Sequence, residues 1–210
     1  MNVQGKIYLA VIAKRITSYA VNNGYVDTTI QKGGIPKVRG CIEHFGSLWE
    51  VVKDAKLKRK NLTSVWLDLA NAYGNVPHLL ILRALKFYHV PDKIVKVILD
   101  YFRGVFGRFT GEGIVSDWQQ FEIGIFTGCV ISGILFVLAI NLLKEFFVCR
   151  VPRAIEYVND DVPIPPLKMF MDDCNITCSL PADMQCILDI IQEFMLWSRF
   201  KLKSSKSRVL

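Results

Sequence analysis

The sequence has little of what small secreted domains and zinc modules depend on. Its 210 residues include six cysteines and three histidines, without a CxxC pair or a His/Cys spacing that suits a metal. This pattern argues against a disulfide scaffold and against a structural zinc module. The chain also lacks an internal repeat and a low-complexity segment. No signal peptide is predicted, because polar and charged residues interrupt the first apolar run.

Charge is modest in amount and unequal in sign. Charged residues make up 21% of the chain and apolar residues 51%, a balance that excludes an intrinsically disordered protein. Lys and Arg number 26 against 19 Asp and Glu, which gives a net charge of +7. The mean hydropathy of +0.29 is high for a soluble protein. Much of it comes from residues 123–143, an uncharged stretch long enough to cross a bilayer.

Apolar periodicity, together with the positions of Gly and Pro, predicts the order of elements. The first helix is expected to place Ile7, Val11, Ile12, Ile16 and Tyr19 near one face. Six helices are predicted, over 5–23, 41–57, 77–88, 91–102, 129–148 and 182–199. Strands are predicted over 64–69, 167–171 and 175–178, a hairpin over 105–121, a loop over 22–40, and a Pro-rich linker without regular structure over 159–166.

Carboxylates lie within or directly after two apolar segments, where acidic side chains are rarely left unpaired. Asp68 interrupts one segment, and the pair Asp172-Asp173 follows the other. If a hairpin turn brings the pair beside the strand of Asp68, the carboxylates converge and repel unless a cation neutralises them. Such hard oxygen ligands favour Mg²⁺. Two such ions can activate an attacking hydroxyl and stabilise the leaving oxygen of phosphoryl transfer.

The carboxylates alone leave a second interpretation open. In it, Asp68 caps a turn and Asp172-Asp173 is a solvated hairpin tip. The doublet Asp160-Asp161 in the Pro-rich linker illustrates this possibility, since it is predicted to be only a loop. The surrounding segments therefore have to decide between a catalytic site and a surface turn.

Four segments, in order, resemble motifs of the reverse transcriptases of non-LTR (LINE-type) retrotransposons. Motif A is matched by WLDLANAYGNVPH at 66–78, and motif B by GIFTGCVISGILF at 124–136. Motif C is matched by FMDD at 170–173, and the start of motif D by LKSSKSRV at 202–209. Upstream, QKGG at 31–34 is similar to the Gln-x-Gly segment of the fingers. The resemblance covers nearly the whole chain.

The resemblance implies an α+β fold: a polymerase palm, with an antiparallel sheet packed on helices, partial and mostly helical fingers, and no thumb. Residues 1–62 are expected to be partial fingers. Residues 63–210 are expected to be the palm with motifs A to D, with fingers-like helices inserted near 77–103, in one continuous reverse transcriptase domain. The chain begins after the family's Arg-Pro-Ile type segment and stops inside motif D, so we expect a copy truncated at both ends.

The resemblance also implies a catalytic and metal-binding set. Asp68, Asp172 and Asp173 are the expected catalytic residues. Asp68 and Asp172 are expected to hold two Mg²⁺ ions, for which Mn²⁺ is a possible substitute, and Asp173 and the carbonyl of Leu69 to complete the metal site. Tyr73 matches the aromatic residue beneath the nucleotide sugar, whose bulk excludes a ribose 2′-OH. The alternative for Tyr73 is a packing aromatic after the strand.

Further residues are implied in nucleotide and nucleic-acid binding. Thr127 and Gly128 stand where the family's Gln-Gly contacts the incoming nucleotide, so Thr127 departs from the usual Gln. Lys206 is the expected motif D lysine near the leaving pyrophosphate. The residues expected to contact nucleic acid share a positive charge and are Lys14, Arg15, Lys58, Arg59 and Lys60. For these charges, as for Lys206, a merely solvated side chain is the alternative.

The predicted function is that of an RNA-directed DNA polymerase domain, which transfers a nucleotide from a dNTP to a primer 3′-OH. The expected partners are an RNA template, a DNA primer, dNTPs, and the missing fingers, thumb or endonuclease segments of a longer polyprotein, with no membrane. This function suggests an intracellular location, in the nucleus or cytoplasm. Two alternatives stay open: a non-catalytic nucleic-acid-binding remnant of the same fold, and a membrane protein with one span at 123–143.

Overall fold

An antiparallel sheet organises the chain. The computed structural model describes residues 2–151, 157–159 and 162–210, and within them four strands form this sheet in the order β10-β1-β9-β8. The strands are β1 (Thr63–Leu67), β8 (Leu167–Phe170), β9 (Asp173–Cys178) and β10 (Arg208–Val209). Leu67 of β1 lies opposite Cys174 of β9, which fixes the register of the central ladder. The predicted α+β class is confirmed.

Helices supply most of the remaining structure. They are α1 (Val3–Asn22), α2 (Cys41–Lys58), α3 (Ala72–Asn75), α4 (His78–Phe87), α5 (Asp92–Arg103), α6 (Ser132–Arg150) and α7 (Pro181–Ser198). The predicted hairpin forms two short ladders. In these, β2 (Phe106–Gly107) pairs with β5 (Gln119–Gln120), and β3 (Thr110–Gly111) pairs with β4 (Ile114–Val115).

Helix α6 is the centre of the core. Its apolar residues surround the whole helix instead of forming one stripe, and Leu138 and Ile140 are fully buried, as expected of a helix packed on all sides. Helices α1, α4 and α7 contact it. Alternate residues of β9 (Cys174, Ile176 and Cys178) belong to the same buried cluster. One face of the sheet therefore packs on helices.

The membrane alternative loses its main support in α6. Within the described part of the chain, α6 is the one helix that is long and apolar enough to cross a membrane. However, 67% of its most apolar window is buried inside the protein. A buried core helix has the same composition as a span, so length and hydropathy are weak evidence here. Residues 123–131 of the predicted span also precede the helix.

Two predictions about local structure are wrong. The buried stripe of α1 is formed by Leu9, Ile12, Ala13, Ile16 and Ala20, whereas Ile7 and Val11 are exposed. The Pro-rich linker is partly regular, because β6 (Tyr157–Asn159) pairs with β7 (Val162–Ile164). Pro163 is tolerated there because a two-stranded ladder has only edge strands. The doublet Asp160-Asp161 lies outside the described residues.

The position of α6 generates a test of the core. Leu138→Ala is expected to lower the free energy of unfolding by about 2–5 kcal/mol, because it removes apolar contacts and leaves a cavity. The matched control is Leu196→Ala on α7, since Leu196 is 74% exposed and Leu138 is 0% exposed. The control is expected to change stability by less than about 0.5 kcal/mol. Urea unfolding measures both variants, and equal effects would contradict this assignment of the core.

Candidate active site

The strand register brings the predicted carboxylates to one end of the sheet. Asp68 directly follows Leu67, whose partner across the ladder is Cys174. Asp173 precedes Cys174 on β9, so the pairing places Asp68 and Asp173 at the same end of adjacent strands. Asp172 lies in the turn between β8 and β9. The three acids are thus assembled by two neighbouring strand ends.

The ionisation of Asp173 depends on the other two carboxylates. Burial raises the pKa of Asp173, and the negative charges of Asp172 and Asp68 raise it further, while Lys206 lowers it. The Lys206 Nζ atom lies 4.0 Å from Oδ2 of Asp68. The site therefore concentrates negative charge and places one ammonium group at its edge.

Lys206 reaches Asp68 because the C-terminal segment, residues 201–210, is hydrogen-bonded to the residues that follow β1. The N–H of Lys203 donates to the carbonyl of Asp68 at 2.8 Å, and the N–H of Ala70 donates to the carbonyl of Lys201 at 2.7 Å. Between these bonds, the buried Leu69 is bridged to Leu202. The segment matched to motif D is therefore an extension of the sheet edge, beside the residues matched to motif A.

Tyr73 lies on α3, just after this segment. Its ring stacks on Phe136 of α6 with centroids 4.9 Å apart and an interplanar angle of 17°. Burial raises the pKa of Tyr73, and the charge of Asp172 raises it further. The ring is therefore a packing aromatic and is also close enough to Asp172 to respond to its charge.

Thr127 and Gly128 are exposed and line a different cavity from the carboxylates. This cavity of about 470 Å³ also contains Tyr101 and Cys129. The chain just before Thr127 is hydrogen-bonded to α3, because the N–H of Ile125 donates to the Tyr73 carbonyl at 2.8 Å. The structure thus brings the motif B loop beside Tyr73 without placing Thr127 in the carboxylate cavity.

The two basic residues predicted on α1 face different surroundings. Lys14 and Arg15 are both exposed. Lys14 lines a cavity of about 800 Å³ together with Gly34 and Lys37, whereas Arg15 lines another cavity beside Pro91. The two side chains do not form a single patch.

Two lysines of the basic cluster at the end of α2 form ion pairs with an aspartate of the same helix. Lys58 Nζ lies 2.6 Å from Oδ1 of Asp54, and Lys60 Nζ lies 3.5 Å from Oδ2 of the same carboxylate. Asp54 is buried. Arg59 is exposed and has left-handed backbone geometry at the C-cap of α2. The sequence did not predict that Asp54 offsets part of the positive charge of this cluster.

A cavity of about 510 Å³ lies between α2 and the outer face of the sheet, next to the carboxylates. Asp68, Asp173, Lys206, Trp66, Phe45 and Lys168 are among its lining residues. Lys168 is 6% exposed, and its Nζ atom has no hydrogen-bond partner within the described residues. Burial lowers the pKa of Lys168 to about 8. No periodicity or motif in the sequence pointed to this buried charge.

The residues present fit a divalent cation, although they do not form a ready-made cage. Among the residues that the structure describes, no group of three or more His, Cys, Asp or Glu side chains is arranged to hold a metal. The carboxylates nevertheless supply hard oxygen donors. Burial raises the pKa of Asp173, and the negative charges of Asp172 and Asp68, which a cation would offset, raise it further. Mg²⁺ needs only one or two protein carboxylates when waters and phosphates complete its shell.

Comparisons with known proteins show the family and the fold of this chain. The family model for reverse transcriptase (RNA-dependent DNA polymerase) matches residues 1–210. The fold is similar to apo telomerase from Candida tropicalis, with a TM-score of 0.72 and 12% identity over 96% of this chain and 36% of that chain. A form of that telomerase truncated from the C-terminal domain gives a TM-score of 0.68 and 13% identity over 98% of this chain and 40% of that chain.

Telomerase from Candida albicans, in complex with the TWJ fragment of telomeric RNA, is also similar. Its TM-score is 0.70 and its identity is 9%, over 96% of this chain and 34% of that chain. At such identities the likeness shows the fold alone. This chain spans 34 to 40% of the length of the three telomerase structures.

The buried Lys168 generates a pH prediction. Its pKa is lowered from 10.5 to about 8, so the ammonium form costs stability at neutral pH, and this cost fades as pH rises from about 8 to 10.5. Lys168→Met is therefore expected to raise the free energy of unfolding at pH 7 by roughly 1–3 kcal/mol. The gain should shrink towards pH 10.

Chemical denaturation at pH 7 and at pH 10 measures this gain. The control is Lys96→Met on α5, because Lys96 is an exposed lysine on a helix. It is expected to change stability by less than about 0.5 kcal/mol at both pH values. A gain for Lys168→Met that is equal at the two pH values would contradict the assigned ionisation of Lys168.

Proposed function

The chain belongs to the reverse transcriptase (RNA-dependent DNA polymerase) family, and from that premise we propose that it transfers nucleotides from dNTPs to a primer 3′-OH on an RNA template. Its α+β fold, an antiparallel sheet packed on helices, is consistent with a polymerase palm. The observation that carries the proposal is the meeting of Asp68, Asp172 and Asp173 at one end of the sheet. A surface turn gives no reason for three acids to share that position.

The finer assignment within the family is also proposed. The order and chemistry of motifs A to D support a LINE-type retroelement as the source. Residues 1–62 are assigned to partial fingers, and residues 63–210 to the palm. The remaining fingers, thumb or endonuclease segments of a longer polyprotein are the proposed protein partners.

The carboxylates are proposed to hold two divalent ions, with Mg²⁺ as the favoured ion and Mn²⁺ as a substitute. Asp68 and Asp172 would provide the main ligands, and Asp173 and the Leu69 carbonyl would contribute to the same site. When bound, two such ions activate the attacking hydroxyl and stabilise the leaving oxygen. Lys206 is proposed to donate to phosphate oxygens beside those carboxylates, and its Nζ atom, 4.0 Å from Oδ2 of Asp68, supports this role.

Nucleotide selection is assigned to residues around Tyr73. The Tyr73 ring is held against Phe136, so it presents a rigid surface on which a ribose 2′-OH would collide. Thr127 and Gly128 are proposed to contact the incoming nucleotide from the loop tied to Tyr73. A threonine hydroxyl can donate and accept a hydrogen bond but reaches less far than glutamine.

Binding of the template and primer is proposed to use the positive charge of the chain. The net charge of +7 favours phosphate contacts whose strength falls with salt. The proposed contacts are the exposed basic residues Lys14, Arg15, Lys58, Arg59 and Lys60. The similar telomerase from Candida albicans is in complex with the TWJ fragment of telomeric RNA, which supports an RNA partner here.

Removal of a single carboxylate tests the catalytic claim. Asp68→Asn and Asp172→Asn are each expected to lower Mg²⁺-dependent primer extension on an RNA template by roughly 100-fold or more, because each removes a proposed metal ligand and with it the cationic stabilisation of the reacting phosphate. Asp117→Asn, in the exposed hairpin, is the control and is expected to retain activity. If the wild type extends the primer and both Asp→Asn variants extend it equally well, the proposal is contradicted. Salt-sensitive RNA binding without incorporation by the wild type would instead favour the non-catalytic alternative.

The role of Tyr73 is tested by its size. Tyr73→Val is expected to raise the incorporation of rNTPs relative to dNTPs by roughly 10- to 200-fold, because it removes the ring that collides with the 2′-OH. Tyr73→Phe keeps the ring and is the matched control, with selectivity expected to stay at the wild-type level. Single-nucleotide extension with each substrate gives the ratio. Unchanged selectivity in Tyr73→Val would remove Tyr73 from the nucleotide site.

A further inference from the structure

Gln31 is fully buried, yet it is polar and lies far along the chain from the carboxylates. Its Oε1 atom accepts hydrogen bonds from the N–H of Met171 and the N–H of Gly33, both at 2.9 Å. Its Nε2 atom donates to the carbonyl of Met171 at 3.2 Å. One side chain therefore satisfies both backbone groups of Met171, the residue before Asp172.

The segment around Gln31 is fastened to β8, the strand that leads into this turn. Gln31 forms a parallel bridge with Met169. The N–H of Met169 donates to the Ile30 carbonyl at 2.8 Å, and the N–H of Lys32 donates to the Met169 carbonyl at 3.0 Å. The ring of His44 on α2 also contacts the carbonyls of Ile30 and Met169 through Nε2. The segment thus extends the sheet by one short strand-like contact.

Gly33 allows this contact to be close. A Cβ atom at position 33 would lie 2.3 Å from the backbone nitrogen of Met171, which is far inside contact distance. The absence of a side chain is therefore required where the segment passes the turn. Gln31 and Gly33 fit together around Met171, with one binding its backbone and the other making room for it.

Met171 needs such support because of its conformation. Its φ angle of +57° lies in the left-handed region, which a side chain of this size rarely adopts and which persists only where the surroundings hold it. Met171 is also the link between β8 and the two acids Asp172 and Asp173. Any relaxation of Met171 would rotate the backbone that aims both carboxylates.

We propose that Gln31 is a positioning residue, which fixes the left-handed turn at Met171 and so sets the placement of Asp172 and Asp173 relative to Asp68. This inference rests on the proposed function. Gln31 is buried and bonded to backbone groups, so it acts through Met171 instead of contacting a metal or a nucleotide. An amide suits this role, since it can accept from one backbone group and donate to another in the same residue.

The first experiment measures how firmly the backbone of Met171 is held. In Gln31→Met the shape is similar and both kinds of hydrogen bond are lost, so hydrogen exchange of the Met171 amide is expected to accelerate at least about 10-fold. The control is Asn141→Leu, because Asn141 is another fully buried amide, which donates to the Tyr25 carbonyl and to Tyr88 Oη, both at 2.8 Å. The control should lower the melting temperature similarly and leave Met171 exchange unchanged.

The second experiment measures the effect of Gln31 on metal binding at the carboxylates. Mn²⁺ is titrated as the probe into wild type, Gln31→Met and Asn141→Leu, and the free ion is followed by electron paramagnetic resonance. Gln31→Met is expected to weaken Mn²⁺ binding about 10- to 100-fold, as loss of a group that orients ligands does. Asn141→Leu is expected to bind as the wild type does.

The outcomes separate this inference from the proposed function. Wild-type Mn²⁺ binding that Asp68→Asn does not weaken would defeat the proposed metal site, while Met171 exchange would still test Gln31. Unchanged Mn²⁺ affinity and unchanged Met171 exchange in Gln31→Met would overturn the role of Gln31 alone. If Gln31→Met does not fold, Gln31→Glu replaces it. At pH 8 this variant loses the donated bond, and unchanged exchange across residues 170–173 would then overturn the inference.

Discussion

Repulsion between neighbouring carboxylates is the constraint around which the site is built. The register of β1 and β9 brings Asp68 and Asp173 to one sheet end, and the burial and neighbouring charges that raise the pKa of Asp173 oppose its ionisation. A chain gains no stability by assembling such charges, so the rest of the molecule has to hold them. The C-terminal segment brings Lys206 to Asp68, and Gln31 binds the turn of Asp172.

The core supplies the rigidity that this arrangement needs. Helix α6 is buried along most of its length, and one face of the sheet packs on the same cluster that contains α6. The stretch that raises the mean hydropathy to +0.29 therefore belongs largely inside the protein. Phe136 of α6 also carries the ring of Tyr73, so the same helix supports the core and the proposed nucleotide site.

The sequence predicted the six longer helices and three strands of the main sheet, because periodicity and local motifs encode them, but it missed the short elements α3 and β10. It could not predict contacts between distant segments. Two examples are the three hydrogen bonds of Gln31 and the burial of the Lys168 ammonium group. Both depend on which strands become neighbours, and a short stretch of sequence does not show that. The exposed side of α1 was also misjudged, since Ile7 and Val11 lie on the helix face opposite the buried stripe that Leu9, Ile12, Ala13, Ile16 and Ala20 form.

The proposed activity depends on the binding of divalent cations by Asp68 and Asp172 together. Anomalous diffraction from crystals of the protein grown with Mn²⁺ and a dNTP tests it most directly, because it locates the ion without relying on turnover. An anomalous peak is expected in contact with carboxylate oxygens of both Asp68 and Asp172. The peak is expected to be lost in Asp172→Asn. Ordered nucleotide without a peak at these residues, or a peak bound only by other side chains, would contradict it.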